Sequence, residues 1–390
     1  MIEFVSSKLN FKNKKVLLRV DYNVKIKNNI IVDDFRIKKS LKTINFLKNK
    51  AKVVILVSHL GNPQGIDEQF SLRIVAKYLS KILKRKIYFI TDFENCEKII
   101  NSLPSGSIAL LENLRFYKGE KENSKNFAKK LASLGDIYIN DAFSVSHRKN
   151  ASVCKITEFL PSYGGLLLKE ELQNLEKIRN NFNPPFVVVL GGAKLKDKLP
   201  LIKNFLKTSD YILVGGGIAN TFLKSQNIEI GKSLVEDELL ETSKKLLKNK
   251  KIILPIDFII SSDYRHIKIF NPFKDKISKS EAILDIGPKT VLKFSNLISK
   301  AQTIFFNGPL GYFENKKFAT GSLKITQAIL KNKQALKVIG GGETIALLNG
   351  TISNFEKIPN LFVSTGGGAM LEYLANKKLP ALEALKNNKV

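Results

Sequence analysis

The stretch PFVVVLGGAKLKDKLP, residues 185–200, joins an apolar run rich in valine to a glycine pair and three lysines. A short run of this kind, bounded by turn residues, reads as a buried strand. Glycines directly after a strand let a ligand approach the backbone, and a helix start beyond them offers unpaired N–H groups to an anion. Neither Gly-x-x-x-x-Gly-Lys-Ser/Thr nor Gly-x-Gly-x-x-Gly occurs here, so the common phosphate-loop patterns do not account for the lysines. Lys194 and Lys198 are four apart; if a helix starts near Lys194, they share one face and reach one anion together. In isolation, a solvated lysine pair is the alternative.

The same junction recurs along the chain. DYILVGGG (210–217), LKVIGGG (336–342) and NLFVSTGGG (360–368) each close an apolar run with glycines. KIILPIDFII (251–260), AILDIG (282–287) and QTIFFNGP (302–309) are further strand candidates. In the first half, KVLLRVDYNV (15–24), AKVVILVSHL (51–60), KIYFITD (86–92), SIALLEN (107–113) and DIYINDAF (136–143) play the same part. Helical patterns separate them: Ile37, Leu41, Ile44 and Leu47 follow Asp33 and Asp34 at helical spacing, and 71–84 and 122–134 repeat the pattern. LPSYGGLLLKEELQNLEKIRNN (160–181) reads as a helix stopped by NFNPP (181–185), because consecutive prolines forbid its continuation. Such alternation specifies an α/β fold with parallel sheets covered on both faces. The expectation is two Rossmann-like domains, each a mainly parallel sheet flanked by helices. The N-terminal domain spans 1–165, an interdomain helix and hinge 166–182, the C-terminal domain 183–376 and a final segment 377–390.

Bulk properties agree with this organisation. The 390 residues exceed one ordinary core, and 44% apolar with 25% charged residues is an ordinary globular composition. The formal net charge of +29 favours a negatively charged partner. Its lysines are scattered over the polar sides of helical patterns and read mostly as solvated faces. With no arginine-rich tract, nucleic acid is not an expected partner. Cys96 and Cys154 lie far apart without metal-ligand spacing, which fits a reducing compartment rather than a disulfide framework. The start, MIEFVSSKLN, lacks secretory features, and no apolar run approaches the roughly 20 residues that span a bilayer. A soluble, cytoplasmic protein that does not engage membranes is expected.

Four glycine clusters at strand ends, 191–192, 215–217, 340–342 and 366–368, favour a nucleotide site over coincident tight turns. In NGPLGYFE and GGGETI, Asn307, Glu314, Glu343 and Thr344 add groups able to hold a magnesium-bound triphosphate and ribose hydroxyls. GGGET is equally a helix N-terminus with an acidic first turn. The first half has its own polar strand ends: Asp21, Asn23, His59, Arg115, His147 and Arg148, with Arg36 early in a helix. Together they suggest a basic cleft for a small anion, gripped by guanidinium groups, although for any one of them a structural salt bridge serves as well. His266 reads as a surface residue.

Taken in order, RVDYNV, FRI, SHLGNPQG, LLENLRF, NDAFSVSHR, GGAKLKDK, VGGGIANTF, LDIGPKT, NGPLGYFE, VIGGGETI, STGGGAMLE and LPALEAL resemble the phosphoglycerate kinase family over essentially the whole chain. The resemblance implies a monomeric glycolytic enzyme that transfers the acyl phosphate of 1,3-bisphosphoglycerate to Mg2+-ADP, giving 3-phosphoglycerate and ATP. It implies that the acid binds the N-terminal domain and the nucleotide the C-terminal domain. Hinge closure then brings donor and acceptor in line, and the final segment returns to the N-terminal domain. By motif, Asp21, Asn23, Arg36, His59, Asn62, Arg115 and Arg148 fall at the substrate positions. Gly191, Lys194, Lys198, Gly215, Gly216, Asn307, Pro309, Glu314, Gly341, Gly342, Glu343 and Thr344 fall at the nucleotide positions, with Gly366 and Gly367 beside them. Arg36, Lys194, Gly342 and Gly367 take the catalytic positions, and Glu343 the metal position through the magnesium nucleotide.

Two residues depart from the family pattern. HLGNP puts Asn62 where an arginine usually helps bind substrate phosphate. Losing that charge-assisted contact costs about 1.5–3 kcal/mol of binding unless a nearby lysine substitutes. Glu343 stands where aspartate is common; it keeps the charge and extends its reach by one methylene. Two rival readings are an inactive anion- or nucleic-acid-binding protein, whose affinity would fall steeply with salt, and a nicotinamide dehydrogenase. The missing Gly-x-Gly-x-x-Gly after the first strand argues against the dehydrogenase.

Overall fold

Strands covered on both faces need apolar side chains on both, and Val53–Val57 and Phe186–Leu190 are buried at every residue. A computed structural model, describing residues 1–352 and 355–388, divides the chain into two units. One comprises Met1–Gln173 with Lys378–Val390, the other Asn174–Lys377.

In the first unit the strands are β1 (Lys15–Arg19), the hairpin β2 (Ile26–Lys27) and β3 (Ile30–Ile31), β4 (Val53–Val57), β5 (Ile87–Ile90), β6 (Ser107–Leu111), β7 (Ile137–Asn140) and β8 (Ser162–Gly164). All but the hairpin form a six-stranded parallel sheet ordered β5-β6-β4-β1-β7-β8. Chain order reverses between β1 and β7, the place in such sheets where ligands bind at the carboxyl ends of the strands. The helix Phe35–Leu47 buries Ile37, Ile44 and Leu47 in the core with β1 and β4, as its spacing predicts, while Leu41 packs against that core half-buried. The helix expected within 122–134 begins only at Lys125, where the Ser124 hydroxyl caps it by accepting from Phe127 N.

In the second unit, β9 (Phe186–Leu190), β10 (Tyr211–Val214), β11 (Ile252–Ile253), β12 (Phe258–Ser261), β13 (Lys268–Phe270), β14 (Ala282–Ile286), β15 (Thr303–Asn307), β16 (Leu336–Gly340) and β17 (Leu361–Ser364) follow in turn. The parallel sheet is β11-β10-β9-β15-β16-β17, and its order reverses between β9 and β15. KIILPIDFII is not one strand. Pro255 has no N–H to continue a ladder, so β11 ends before it and β12 starts a separate antiparallel sheet, β13-β12-β14. AILDIG thus belongs to that small sheet rather than to the parallel one.

The helix Leu166–Arg179 runs from one unit into the other, its residues grouping with the first unit to Gln173 and with the second from Asn174. At its start, Asp141 Oδ1 accepts from Leu168 N at 3.0 Å, and Gly165 is obligatory because a Cβ there would lie 2.1 Å from that carboxylate. The C-terminal helix Pro380–Lys386 packs on the first unit: Ala381 joins Ala142, Val145 and Val153, and its N–H donates to Ser146 O at 3.1 Å. Asn388 Nδ2 donates to Thr157 O at 2.6 Å and Leu160 O at 3.1 Å. Leu385 is buried in this packing. Leu385→Ala should destabilise the first unit by about 2–5 kcal/mol, read as a lower urea midpoint with an unchanged slope.

Candidate functional site

In the first unit the loops leaving β1, β4, β6 and β7 gather several cations around the Asp21 carboxylate. Beyond β1, Asp21 Oδ1 accepts from Asn23 N at 2.9 Å, and Oδ2 accepts from Arg36 Nη1 at 2.7 Å and from the Ser144 hydroxyl. Arg36 Nη1 also donates to Asn23 O at 3.1 Å. The loop after β4 is held at Gly61, whose N–H donates to Asn23 Oδ1 at 2.9 Å and whose carbonyl accepts from Arg115 Nη1 at 2.6 Å. Asn62 itself is exposed, as is Arg148.

The electrostatics follow from this crowding. Burial pushes the Asp21 carboxyl up, but the Arg36 guanidinium, with the Ser144 hydroxyl and Asn23 N–H, overcomes it and holds the pKa at about 2. Burial, reinforced by the Arg19 and Arg148 charges, lowers Arg115 to about 10, which still leaves it protonated at neutral pH. Burial drives His59 well below the usual imidazole value despite Asp21 at 3.9 Å. Its Nδ1 lies 3.2 Å from Arg19 Nη2, and because a guanidinium only donates, Nδ1 accepts and the proton sits on Nε2. Arg19 and Ser144 are additions to the residues expected from sequence. Arg19 lies inside an apolar strand run, the one clue that its charge is buried for a reason.

In the second unit, β9 and β15 end side by side. Gly191 N donates to Asn307 O at 3.0 Å and Gly192 N to Pro309 O at 2.8 Å. A Cβ on Gly191 would sit 1.9 Å from Pro309 O, so this approach requires glycine. Across the next strand, Gly341 has φ +103, and a Cβ there would lie 2.7 Å from Asn307 Nδ2. A cavity of about 440 Å³ opens between these turns, lined by Gly191, Lys194, Asp197, Lys198, Asn307, Gly341, Gly342, Glu343, Thr344 and Gly367. An adjoining cavity of about 410 Å³ is more apolar, lined by Gly216, Gly217, Tyr264, Ile283, Asp285, Pro309, Tyr312 and Glu314. Gly192, Ala193 and Glu343 line both, so the two are continuous. A cationic, glycine-lined chamber beside an aromatic and aliphatic one suits a nucleotide.

Three details differ from expectation. The helix after β9 starts at Leu199, with Lys198 at its N-cap and Pro200 in its first turn. Lys194 and Lys198 therefore share no helical face; the turn between them is tied by Leu195 N and Lys196 N donating to Glu236 Oε2. Gly215 lines neither cavity; its Cα packs on Leu310, where a Cβ would lie 2.7 Å away, and Gly217 lines the wall instead. Gly366 likewise faces its own strand end, donating to Ser364 Oγ at 3.0 Å. His266 is exposed and pairs with Asp263 at 2.7 Å. Tyr264, Tyr312 and Asp285 were not foreseen as lining residues.

A family model described as phosphoglycerate kinase matches residues 6–377. The chain belongs to the phosphoglycerate kinase family. A phosphoglycerate kinase from Dictyoglomus turgidum is 42% identical and aligns with 97% of this chain and 97% of its own length. One from Coprothermobacter proteolyticus is 43% identical, covering 96% of each chain. Among solved structures, phosphoglycerate kinase from Coxiella burnetii matches with TM-score 0.85 at 38% identity, covering 98% of this chain and 99% of that one. The Pyrococcus horikoshii phosphoglycerate kinase gives TM-score 0.87 at 31% identity, covering 98% of each. The fold built on two main parallel sheets flanked by helices is shared with these solved phosphoglycerate kinases.

Lys198 lines the cationic chamber and is half-buried there. Its ammonium donates to Asn307 Oδ1, and burial lowers its pKa to about 8 against the opposing pull of Glu343 and Asp197. A lowered amine pKa means charge present below about 8 and lost above it. Tripolyphosphate, titrated as a probe of this chamber, should therefore bind progressively more weakly as pH rises through 8, and Lys198→Met should bind weakly with that pH dependence removed.

Proposed function

We propose that this phosphotransferase of the phosphoglycerate kinase family reversibly transfers the acyl phosphate of 1,3-bisphosphoglycerate to Mg2+-ADP, giving 3-phosphoglycerate and ATP in glycolysis and gluconeogenesis. The observation that carries the reading is the chamber at the β9/β15 reversal, where Lys194, Lys198 and Glu343 face a wall of glycines. Arg36, His59, Arg115 and Arg148, with Asp21 and Asn23, would hold the three-carbon acid, Arg36 also facing the phosphoryl group in transfer. Asn307, Pro309 and Glu314 would flank ribose and phosphates, with the purine against Tyr264 and Tyr312.

Glu343 and Thr344 would hold magnesium together with the nucleotide's phosphates, where the metal neutralises phosphate charge. Two carboxylates, Asp197 and Glu343, line this chamber, and no group of three or more metal-binding side chains exists among the described residues. Such a donor set suits magnesium that arrives with nucleotide and keeps waters, rather than a resident ion. Lys194, exposed on the chamber wall, would stabilise the charge that spreads over the phosphoryl oxygens, and the backbone N–H groups at Gly342 and Gly367 would share that task. Transfer needs donor and acceptor in line, so we infer hinge closure during turnover. A monomer in the cytoplasm, with no nucleic-acid or membrane partner, is inferred from the family resemblance.

The test is phosphorylation of 3-phosphoglycerate by ATP and magnesium, coupled through glyceraldehyde-3-phosphate dehydrogenase to NADH oxidation. Wild type should turn over and Lys194→Ala should lose about 10²–10³-fold in kcat. Folded wild-type protein with no turnover at high substrate would refute the assignment and leave an anion-binding role.

A further inference from the structure

The reaction as described leaves Lys121 unused, yet its surroundings are those of a cation awaiting an anion. Its ammonium donates to the Pro63 carbonyl and pairs with no carboxylate among the described residues. The neighbouring acids are engaged elsewhere. Glu120 is buried and accepts from Ser152 Oγ at 2.7 Å and Ser152 N at 2.9 Å, while Glu122 pairs with Lys118 at 3.2 Å. An ammonium carries three N–H groups, so two remain for a ligand after the carbonyl contact.

The carbonyl it rests on belongs to the loop that Arg115 grips. Arg115 holds Gly61 O and Lys121 holds Pro63 O, so their anchor points are separated by no more than about 8 Å of chain. Between them stands Asn62, exposed and uncharged. The loop thus has a cation docked on either side of a neutral residue, and one of the two, Arg115, already meets the like charges of Arg19 and Arg148.

We propose that Lys121 is a substrate-binding residue, its ammonium completing with Arg115 the cationic grip on the substrate's phosphate that Asn62 cannot make; this rests on the function proposed above. Lysine suits the task because it meets a phosphate as a mobile point charge and needs no fixed bidentate geometry. Since Lys121 also ties down the loop, the test must separate charge from anchoring.

Steady-state kinetics with 3-phosphoglycerate varied at saturating Mg2+-ATP make that separation in wild type, Asn62→Arg, Lys121→Gln, Lys121→Arg and the Lys121→Gln/Asn62→Arg double variant. Lys121→Gln should raise KM by about tenfold with a much smaller change in kcat, and Lys121→Arg should stay near wild type. Asn62→Arg should recover most of the loss in the Lys121→Gln background. An unchanged KM in Lys121→Gln overturns the proposal, as does a raised KM that Asn62→Arg does not recover, since that pattern marks a loop anchor. A wild-type chain without turnover would instead refute the underlying reaction, and with it this role.

Discussion

Parallel pairing makes all strands of each main sheet end along one edge, and every turn leaving a strand is delivered to that edge. Strand order then decides which turns meet. In the first unit the reversal between β1 and β7 brings Asp21 and Ser144 within hydrogen-bonding reach although 123 residues separate them. In the second, the reversal between β9 and β15 lets Gly191 and Asn307 pair along their backbones and opens the glycine-lined chamber. Both clusters are products of the same constraint, applied to different side chains.

What the edges carry is not self-sufficient. Among the described residues Asp21 is the carboxylate directly bonded to the arginine cluster, and burial together with the charges of Arg19 and Arg148 lowers Arg115. Such crowding costs stability in the absence of an anion, and an anionic ligand relieves it. The nucleotide side shows the same tension in another form: Lys198 is desolvated enough to lower its pKa to about 8, against two nearby carboxylates that favour its charge. Strain of this kind belongs at sites, where local rules are broken for a ligand.

The architecture was legible because buried parallel strands leave long apolar runs, and glycine clusters mark their carboxyl ends. Legibility failed where position depends on partners rather than on period. Pro255 splits an apolar run between two sheets, and β13, with two exposed residues in its three, has too little pattern to announce itself. Arg19 carries no local sign of its role, because nothing nearby in sequence discloses that His59 and Ser152 receive its guanidinium. Tyr264 and Tyr312 lie 48 residues apart in unlike segments, and only the fold sets their ring centroids 6.1 Å from each other. Lys121 was one lysine among many until the Pro63 carbonyl singled it out.

The direction of the Arg19–His59 hydrogen bond has a consequence for chemical discrimination. With Nδ1 accepting, His59 has only an N–H left to present, and every arginine around it is likewise an obligate donor. The acceptor oxygens of Asp21 are already taken by Arg36, Ser144 and Asn23. The cluster therefore has one-sided valence. A ligand group with lone pairs to offer is welcomed, whereas an ammonium, or an amide turned with its N–H inward, would set hydrogen against hydrogen. Selectivity against hydrogen-bond donors is thus written into a tautomer, without a shape that need exclude them.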